Sequence, residues 1–387
     1  MEILLYPGAG ITPSVGGQGA FCAFLAEGLA TLGHSVTIAG GHAWAPFCHS
    51  RRVRLAASKP SAKFIRSMDI VHVNGRGVRA AAQGLLSGRR VVLTHQDYSC
   101  FCPASVGWTV AGCAAGGGRL GPCPNCPDRT LIGRLHMRAL RGMARWCTNV
   151  AVSQQMLPRL SLRGAHAVLS PIRARAVSDC DEAGLLAFAG RLAPEKGLDT
   201  LIHALARLPE GRLAIAGDGP LRQHYELLVR RLGLEDRVRF LGQAPAYSVV
   251  QLYARASIIC TPSSWPEPFG YSAAEGMALG KPVVAAATGA FTELLADGRG
   301  WLCRPRDVDD WATTLAHALA DPAERLRRGR EAAAFVRREL DPTIVAHRYL
   351  DSYAAALERP PGHSPTEPEG LPDECTDPRP NGPLESA

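Results

Sequence analysis

The chain lacks any run of 18 or more apolar residues, although 46% of its 387 residues are hydrophobic. This argues against a membrane-spanning helix, which needs about 20 apolar residues in succession. The first segment, Met1–Tyr6, contains no basic residue and is followed at once by Pro7-Gly8, so it does not match a secretory signal peptide. The chain is long enough for two or three domains, and we expect a cytoplasmic protein.

Acidic residues are scarce in the first half of the chain. Residues 1–170 contain 18 Lys and Arg against 5 Asp and Glu, residues 171–357 contain 23 of each, and residues 358–387 contain 2 against 7. The first half therefore contributes +13, and the acidic last segment lowers the net charge of the chain to +8. Such a charge favours peripheral contact with an anionic membrane at its inner face, or with an acidic acceptor. Solvated arginines are the alternative, because no compact basic run is present. We expect no nucleic-acid partner.

Short aliphatic strands alternate with helical segments through most of the sequence. In the first half the predicted strands are Glu2–Leu5, Val36–Ala39, Asp69–Asn74, Val91–Thr94 and Asn149–Ser153. Helical spacing of apolar residues covers Gly17–Thr31 and Val78–Leu86 between them. The second half repeats the alternation from Leu185 to Leu302. Strands separated by helices predict parallel, doubly wound sheets.

Two carboxylates eight residues apart, Glu267 and Glu275, flank a Phe-Gly-Tyr-Ser segment. A buried strand is predicted at Ala256–Thr261, and Pro262 and Pro266 prevent it from continuing. Glu267 is therefore expected in a loop at the carboxyl end of that strand, with Glu275 about two turns into the next helix. The helix start attracts anions and the carboxylates accept hydroxyl groups, which suits a sugar nucleotide. Two ordinary surface acids are the alternative, since short motifs also occur by chance.

Glycines and cations follow two earlier strands of the second half. One strand ends in Gly190-Arg191 with Lys196 five residues later, and the next ends in Gly217-Asp218-Gly219-Pro220. In an open parallel sheet these turns lie at the carboxyl edge, where ligands bind. A surface ion pair between Arg191 and Glu195 is the alternative interpretation of the first turn.

Together with Gly280–Ala285, these segments resemble the retaining GT-B glycosyltransferases of family 4 (group 1), which are marked by a Glu-x7-Glu motif. The resemblance extends from residue 1 to about residue 357. It implies an α/β GT-B fold, in which two doubly wound Rossmann-like domains face a central cleft. The implied parts are an acceptor domain at 1–170, a donor domain at 171–340, a helix at 341–357 that packs back on the first domain, and a tail at 358–387. Eight prolines and many acids in the tail predict disorder.

The resemblance also implies roles for individual residues. Catalytic roles fall on the cleft residues Glu267, His95, Arg191 and Lys196. Donor-binding roles fall on the glycine turns, the two cations, the nucleobase turn and the motif itself: Gly16, Gly17, Gly190, Arg191, Lys196, Gly242, Gln243, Phe269, Gly270, Tyr271 and Glu275. Glu275 would hold the ribose and Glu267 the transferred sugar, while His95 would contact the sugar or the acceptor. A packed, structural histidine is the alternative for His95.

The implied activity is transfer of a sugar, with retention, from a UDP- or GDP-sugar to a hydroxyl acceptor such as a lipid-linked glycan, a polysaccharide intermediate or a small natural product. The site needs no divalent metal, because Arg191, Lys196 and a helix dipole supply the positive charge. A GT-B epimerase, a phosphorylase and a non-catalytic sugar-binding protein are the alternatives. No motif for a pyridoxal lysine supports a phosphorylase.

Six of the 12 cysteines lie between Cys100 and Cys147. The Cys123-x2-Cys126 pair, with Cys102 and Cys113, suggests a structural zinc site in a Cys-rich insertion at 100–126. Zinc there would fix a loop beside His95. Reduced thiols without a metal are the alternative, whereas disulfides are disfavoured in the cytoplasm.

Overall fold

Two separate sheets, each composed entirely of parallel strands, organise the protein. A computed structural model describes residues 1–7, 16–40, 44, 50–56, 59–100, 131–175 and 181–358. The predicted tail, apart from Glu358, and nearly all of the Cys-rich insertion lie outside these residues.

The first sheet has seven strands in the order β3-β2-β1-β4-β5-β6-β7. Its strands are β1 Glu2–Tyr6, β2 Ser35–Ala39, β3 Val53–Ala56, β4 Ile70–Asn74, β5 Arg90–His95, β6 Thr148–Ala151 and β7 His166–Ala167. The helices between them are α1 Gly16–Thr31, α2 Ala62–Arg66, α3 Val78–Leu86, α4 Leu131–Ala144 and α5 Leu157–Leu160. Strands β1 and β4 are almost completely buried, which explains why they are mainly aliphatic rather than alternating between apolar and polar residues.

The second sheet has six strands in the order β10-β9-β8-β11-β12-β13. Its strands are β8 Leu185–Ala189, β9 Arg212–Ala216, β10 Val238–Gly242, β11 Ile258–Thr261, β12 Val283–Ala286 and β13 Trp301–Cys303. Its helices are α6 Leu198–Arg207, α7 Arg222–Arg231, α8 Ala246–Arg255, α9 Tyr271–Ala278, α10 Phe291–Leu294, α11 Val308–Ala320 and α12 Pro322–Phe335. A π-helical turn, Val336–Leu340, joins α12 to the last helix, α13 Pro342–Glu358.

All five strands predicted in the first half are present, with ends that differ by one or two residues. Two short strands, β3 and β7, were not predicted, and both lie at the edges of the sheet. Edge strands need less apolar surface than central ones, so their sequence signal is weak. Residues 168–175 contain no helix or strand and lead from the first sheet to the second.

Helix α13 lies against α1 of the first sheet rather than against the second sheet alone. At Gly28 on α1, an added Cβ would lie 2.1 Å from the backbone oxygen of Pro342. The two helices therefore touch backbone to backbone at this point, which only glycine allows. The Ile172 N–H donates to the carbonyl of Leu340 at 2.7 Å, so the segment that leaves the first sheet meets the residues that precede α13.

A buried polar cluster joins α13 to the first sheet. His72 Nδ1 lies 2.7 Å from Tyr353 Oη, and His72 Nε2 lies 2.8 Å from Thr94 Oγ1. Thr94 Oγ1 in turn lies 3.1 Å from Tyr349 Oη. Burial lowers the pKa of His72 to about 3, so its ring is neutral at physiological pH. Each ring nitrogen has a partner, which satisfies a buried polar group that would otherwise be costly.

Replacing Tyr353 by phenylalanine is expected to lower the free energy of unfolding by about 1–3 kcal/mol, because His72 Nδ1 loses its buried partner. Urea denaturation measures the change. Tyr247→Phe is the matched control, since Tyr247 is 71% exposed and its hydroxyl accepts a hydrogen bond from the side chain of Gln251. The control should stay within about 0.5 kcal/mol of the wild type. Equal losses in both variants would contradict a stabilising role for this cluster.

The two sheets meet through a small set of hydrogen bonds near the carboxyl ends of their strands. Tyr271 Oη on α9 donates to Gln96 Oε1 at 2.9 Å and lies 3.1 Å from Ser170 Oγ, whose hydroxyl can donate to it. Ser153 Oγ donates to the carbonyl of Pro268 at 2.6 Å. The Gln154 N–H donates to Glu293 Oε2 at 2.9 Å. These bonds hold the loop that leads into α9 against the first sheet.

Candidate active site

The loop between β11 and α9, residues 262–270, is fixed from two sides by glycines. Gly197 has φ +62°, and an added Cβ there would lie 2.2 Å from the backbone oxygen of Pro262. Gly289 has φ +54°, and its Cβ would lie 2.4 Å from both the nitrogen and the oxygen of Glu267. The Ala290 N–H donates to the Glu267 carbonyl at 2.8 Å. The backbone of Glu267 is therefore held by the turn that follows β12.

The Glu267 carboxylate is the centre of a compact charged cluster. Lys196 Nζ donates to Glu267 Oε1 at 2.5 Å, and Ser263 Oγ donates to the same oxygen at 2.7 Å. The side chains of Lys196 and Glu267 are only 24% and 9% exposed. Lys196 Nζ also lies 5.5 Å from the ring centroid of Trp265. The structure thus brings together two predicted catalytic residues that are 71 positions apart in sequence.

Arg191 has a different environment. Its guanidinium pairs with Glu195 one turn further along, and the arginine side chain is 62% exposed. This is the surface ion pair of the alternative interpretation, and such a pair contributes little to stability. Because the pair is weak and exposed, Arg191 can exchange Glu195 for an anionic ligand at small cost. Its predicted donor role stays a prediction.

The glycine turns of the second sheet touch each other at its carboxyl edge. At Gly217, which has φ +144°, an added Cβ would lie 1.9 Å from the backbone oxygen of Gly190. The Gly217 N–H also donates to the carbonyl of Gly242 at 2.8 Å. Gly242 ends β10 with φ +70°, and the neighbouring Gln243 is exposed. Three strands therefore deliver their terminal glycines to one place, as the sequence predicts for a ligand-binding edge.

Helix α9 begins directly after Gly270, which has φ +86° and provides no side-chain cap. Phe269 beside it is 1% exposed, so it offers its backbone rather than its ring. The N–H groups in the first turn of a helix have no partner within the helix and favour an anion. Tyr271–Ala278 has eight residues, and its start lies in the loop that contains Glu267.

Glu275 is the fifth residue of α9, so the expectation that it lies two turns into the helix is wrong. The helix begins at Tyr271, after the left-handed Gly270, and Glu275 is just over one turn from its start. Burial raises the pKa of Glu275 to about 7, and the nearby Arg175 partly opposes this shift. The carboxyl group can therefore change charge near neutral pH.

Comparison with known proteins agrees with this geometry. Residues 174–335 match the family model described as "Glycosyl transferases group 1". The D-inositol 3-phosphate glycosyltransferase of Kribbella flavida is 40% identical over 200 residues, which cover 48% of this chain and 46% of that protein. The protein of the same name from Mycolicibacterium smegmatis is 37% identical over 186 residues, covering 46% and 43%. The chain thus spans just under half the length of the curated relatives it matches.

Solved structures show the same fold over a longer range. The Anabaena protein Alr3699/HepE in complex with UDP aligns with a TM-score of 0.70 at 21% identity, covering 92% of this chain and 100% of that chain. Sucrose-phosphate synthase from Thermosynechococcus elongatus gives 0.70 at 22% identity, covering 92% and 98%. Residues 174–335 thus resemble the group 1 glycosyltransferases in sequence, and the solved structures at 21–22% identity show a shared fold over 92% of the chain. The predicted α/β GT-B fold is confirmed.

Gly16 and Gly17 are the first residues of α1 rather than a loop before it. An added Cβ on Gly17 would lie 1.9 Å from Cγ of Tyr271. The start of α1 therefore packs against the aromatic ring that begins α9. Gly17 lies at the contact between the two sheets, and its predicted approach to the donor stays a prediction.

His95, the last residue of β5, is 2% exposed and packs inside the first sheet's domain. Its Nε2 lies 3.0 Å from Asn149 Oδ1. The Asn149 amide nitrogen donates to the carbonyls of Ala144 and Cys147, so Oδ1 must accept from His95. Burial lowers the pKa of His95, which leaves a neutral ring with Nδ1 as an acceptor. The structure thus shows the packing contacts of the alternative interpretation, and a catalytic role stays a prediction.

Several neighbours of the site were missed by sequence reasoning: Ser263, Trp265, Gly289, Gln96 and Tyr98. Trp265 and Ser263 stand in the Pro-flanked loop before Glu267, where any side chain lies close to the motif. Their position in this loop could therefore have identified both residues as neighbours of the site from the sequence. Gln96 and Tyr98 follow β5 in the first domain, and no pattern in the sequence links them to a loop about 170 residues away.

The four predicted zinc ligands, Cys102, Cys113, Cys123 and Cys126, lie outside the described residues. Within the described ranges, no group of three or more His, Cys, Asp or Glu side chains is arranged to hold a metal. Cys100, at the start of the insertion, and Cys147, beyond its end, are buried. None of the helices in the described part of the chain combines the length and apolar character needed to cross a bilayer.

Proposed function

We propose that this chain transfers a sugar from a nucleoside diphosphate sugar to a hydroxyl acceptor, with retention of configuration. One observation carries the proposal: Lys196, in the turn before α6, forms a largely buried pair with Glu267 of the loop that leads into α9. A cation, a carboxylate and the start of a helix are the groups that bind a diphosphate and the hydroxyls of a sugar.

Donor binding exchanges one partner of this pair. The diphosphate accepts hydrogen bonds from Lys196 and from the N–H groups at the start of α9, and Arg191 adds charge from the rim. Glu267 then loses Lys196 as a partner but keeps its hydrogen bond from Ser263. Its carboxylate can therefore accept hydrogen bonds from the hydroxyl groups of the transferred sugar. As the glycosidic bond breaks, negative charge grows on the diphosphate beside fixed positive groups, which is a major source of catalysis. We therefore propose that turnover requires no divalent metal.

The acceptor hydroxyl attacks from the first domain, on the face that the leaving phosphate occupies. The phosphate then takes the acceptor proton, which retains configuration without a covalent intermediate. The neutral His95, with Nδ1 as an acceptor, is the candidate for holding an acceptor or sugar hydroxyl. Support for a UDP-sugar comes from the UDP in the HepE structure, and support for a hydroxylated acceptor comes from the name of the inositol phosphate relatives.

A donor panel tests the proposal. Purified protein is incubated with UDP- and GDP-sugars, with and without EDTA, and release of nucleoside diphosphate is followed by mass spectrometry. We expect slow hydrolysis of one donor that EDTA does not abolish. Transfer products should keep the donor's anomeric configuration, as read from the coupling of the anomeric proton. Donor binding without any turnover would instead favour a sugar-binding protein, and interconversion of sugars would favour an epimerase.

Affinity for the nucleotide sugar is expected to rise by up to about tenfold between pH 6 and pH 8. Glu275, whose pKa is raised to about 7 by burial, must be ionised to accept both ribose hydroxyls. Below pH 7 donor binding must expel a proton, and above pH 7 it need not. Titration calorimetry at both pH values measures the change. Glu275→Gln should flatten the profile, and an unchanged slope in that variant would contradict a ribose contact.

We further propose that the basic first domain contacts an anionic membrane. Helix α4 exposes Ile132 (79%), Leu135 (53%) and Arg138, and Arg145 directly after the helix is also exposed. Apolar side chains flanked by arginines suit the interface of an anionic bilayer. Co-sedimentation with phosphatidylglycerol vesicles should exceed that with phosphatidylcholine and fall with salt. Equal recovery with both vesicles would contradict this contact.

The zinc site in the Cys-rich insertion remains a proposal that rests on the spacing of Cys102, Cys113, Cys123 and Cys126. Metal analysis of the purified protein tests it, with one zinc per chain expected and a value well below one counting against it.

A further inference from the structure

Trp265 lies between the two domains, next to the charged cluster. Its ring centroid lies 5.5 Å from Lys196 Nζ. It also meets Tyr98 of the first domain edge to face, with ring centroids 6.1 Å apart. Trp265 therefore touches both the donor-binding cation and the domain from which the acceptor approaches.

The indole nitrogen of Trp265 is buried and has no hydrogen-bond partner among the described residues. Buried indole N–H groups normally have a partner, because losing the hydrogen bond to water is costly. An N–H donor in this position can be satisfied by an acceptor oxygen of a ligand. Its neighbours Lys196 and Glu267 are the two residues to which the proposed function gives the diphosphate and the sugar.

We propose that Trp265 binds the transferred sugar: its Nε1–H donates to a hydroxyl oxygen of that sugar, and its ring face keeps Lys196 in position. This inference rests on the proposed function. The transferred sugar is the part of the donor between the diphosphate and the acceptor. A side chain that contacts both Lys196 and Tyr98 of the first domain lies at that part of the site.

The test separates the sugar from the nucleotide. Trp265→Phe keeps an aromatic face for Lys196 and removes only the N–H. We expect its affinity for the nucleotide sugar to fall about three- to tenfold, the effect of one hydrogen bond. Its affinity for the nucleoside diphosphate alone should stay unchanged, since that ligand has no sugar at this position. Titration calorimetry with both ligands gives the two values, and thermal unfolding checks the fold.

Trp311→Phe is the matched control. Trp311 is fully buried on α11, and its indole nitrogen likewise lacks a partner within the described structure. It belongs to the hydrophobic core under the second sheet, so this substitution should change neither affinity. A loss confined to Trp265→Phe and to the nucleotide sugar supports the proposal. Equal losses for both ligands, or no loss for either, overturn the sugar contact.

Trp265→Leu tests the second half of the proposal. Removing the ring face should weaken binding of the nucleoside diphosphate as well, because Lys196 is no longer held. Unchanged diphosphate affinity in this variant overturns the positioning role. In the wild type, the 15N-labelled indole N–H signal of Trp265 should shift on adding nucleotide sugar and shift less on adding nucleoside diphosphate. The same shift with both ligands contradicts a sugar contact. This measurement uses the wild-type protein, so it does not depend on the folding of a variant.

The proposed function and this inference fail differently. If the wild type binds and turns over a nucleotide sugar while Trp265→Phe behaves normally, only the inference fails. If the wild type binds no nucleotide sugar at all, both fail.

Discussion

Lys196→Ala lowers kcat/KM for the donor by about two to three orders of magnitude, the effect of removing one group aimed at charge that develops in the transition state. Lys196 is the cation that the structure places on Glu267, with only 24% of its side chain exposed. Steady-state release of nucleoside diphosphate measures the loss. Most of it should appear in kcat, because the leaving diphosphate gains charge as the bond breaks.

Two further variants separate catalysis from stability. Lys63→Ala removes an exposed lysine on α2 and should leave turnover and unfolding unchanged. Lys196→Ala leaves Glu267 without its ion pair, so some loss of stability is expected in addition. Glu267→Gln removes the same pair and should cost similar stability. A Lys196→Ala enzyme that unfolds earlier yet turns over donor at the wild-type rate would show that the lysine is structural.

Gly289→Ala should reduce both turnover and stability, although Gly289 contributes no side chain to the site. The added Cβ would lie 2.4 Å from the nitrogen and the oxygen of Glu267, so the backbone of Glu267 must move. A displacement of about 1 Å at a catalytic group can cost about 100-fold in rate. The positive φ of +54° adds about 1–2 kcal/mol of strain, and the clash adds about 1–3 kcal/mol.

Gly233→Ala isolates the strain from the clash. Gly233 has a similar φ of +64°, but nothing lies within 4 Å of an added Cβ. This variant should lose about 1–2 kcal/mol of stability and keep full activity. Urea denaturation and donor turnover on the same preparations compare the two glycines. Equal turnover in both variants would mean that the turn after β12 does not position Glu267.

The fold was predictable because the central strands contain short aliphatic runs with helical segments between them. Strand β1 contains Ile-Leu-Leu and β5 contains Val-Val-Leu, while β4 is aliphatic apart from His72 and Asn74. The edge strands β3 and β7 lack such runs. The return of α13 to the first sheet followed from family resemblance alone, since the packing of Gly28 on Pro342 and the pairing of His72 with Tyr353 join positions more than 280 residues apart.

The candidate site was predictable where its residues share a motif or a strand end. Glu267, Gly270 and Glu275 lie in one motif, and Lys196 follows a Gly-Arg turn. Ion-pair partners were less predictable. The i,i+4 spacing of Arg191 and Glu195 indicates that they can pair, but nothing in the sequence indicates that Lys196, five residues after Arg191, pairs with Glu267. That choice depends on the left-handed Gly197 and its close contact with Pro262, which only the folded backbone reveals.

Distant contacts explain the remaining misses. Tyr271 looked like part of a phosphate-binding turn, yet its hydroxyl bonds to Gln96 and Ser170 across the domain boundary. Gly17 looked like a donor loop, yet it packs on the ring of Tyr271. In both cases a local motif also serves an interface, and a single sequence carries no signal of the partner.

The central claim is that the donor diphosphate lies between Lys196 and the first turn of α9. A crystal structure of the protein with nucleoside diphosphate bound tests it most directly. We expect diphosphate oxygens within hydrogen-bond distance of Lys196 Nζ and of the N–H groups that follow Gly270, with Glu267 no longer the partner of Lys196. A diphosphate bound elsewhere, with the Lys196–Glu267 pair intact, would show that Lys196 and α9 do not form the diphosphate site.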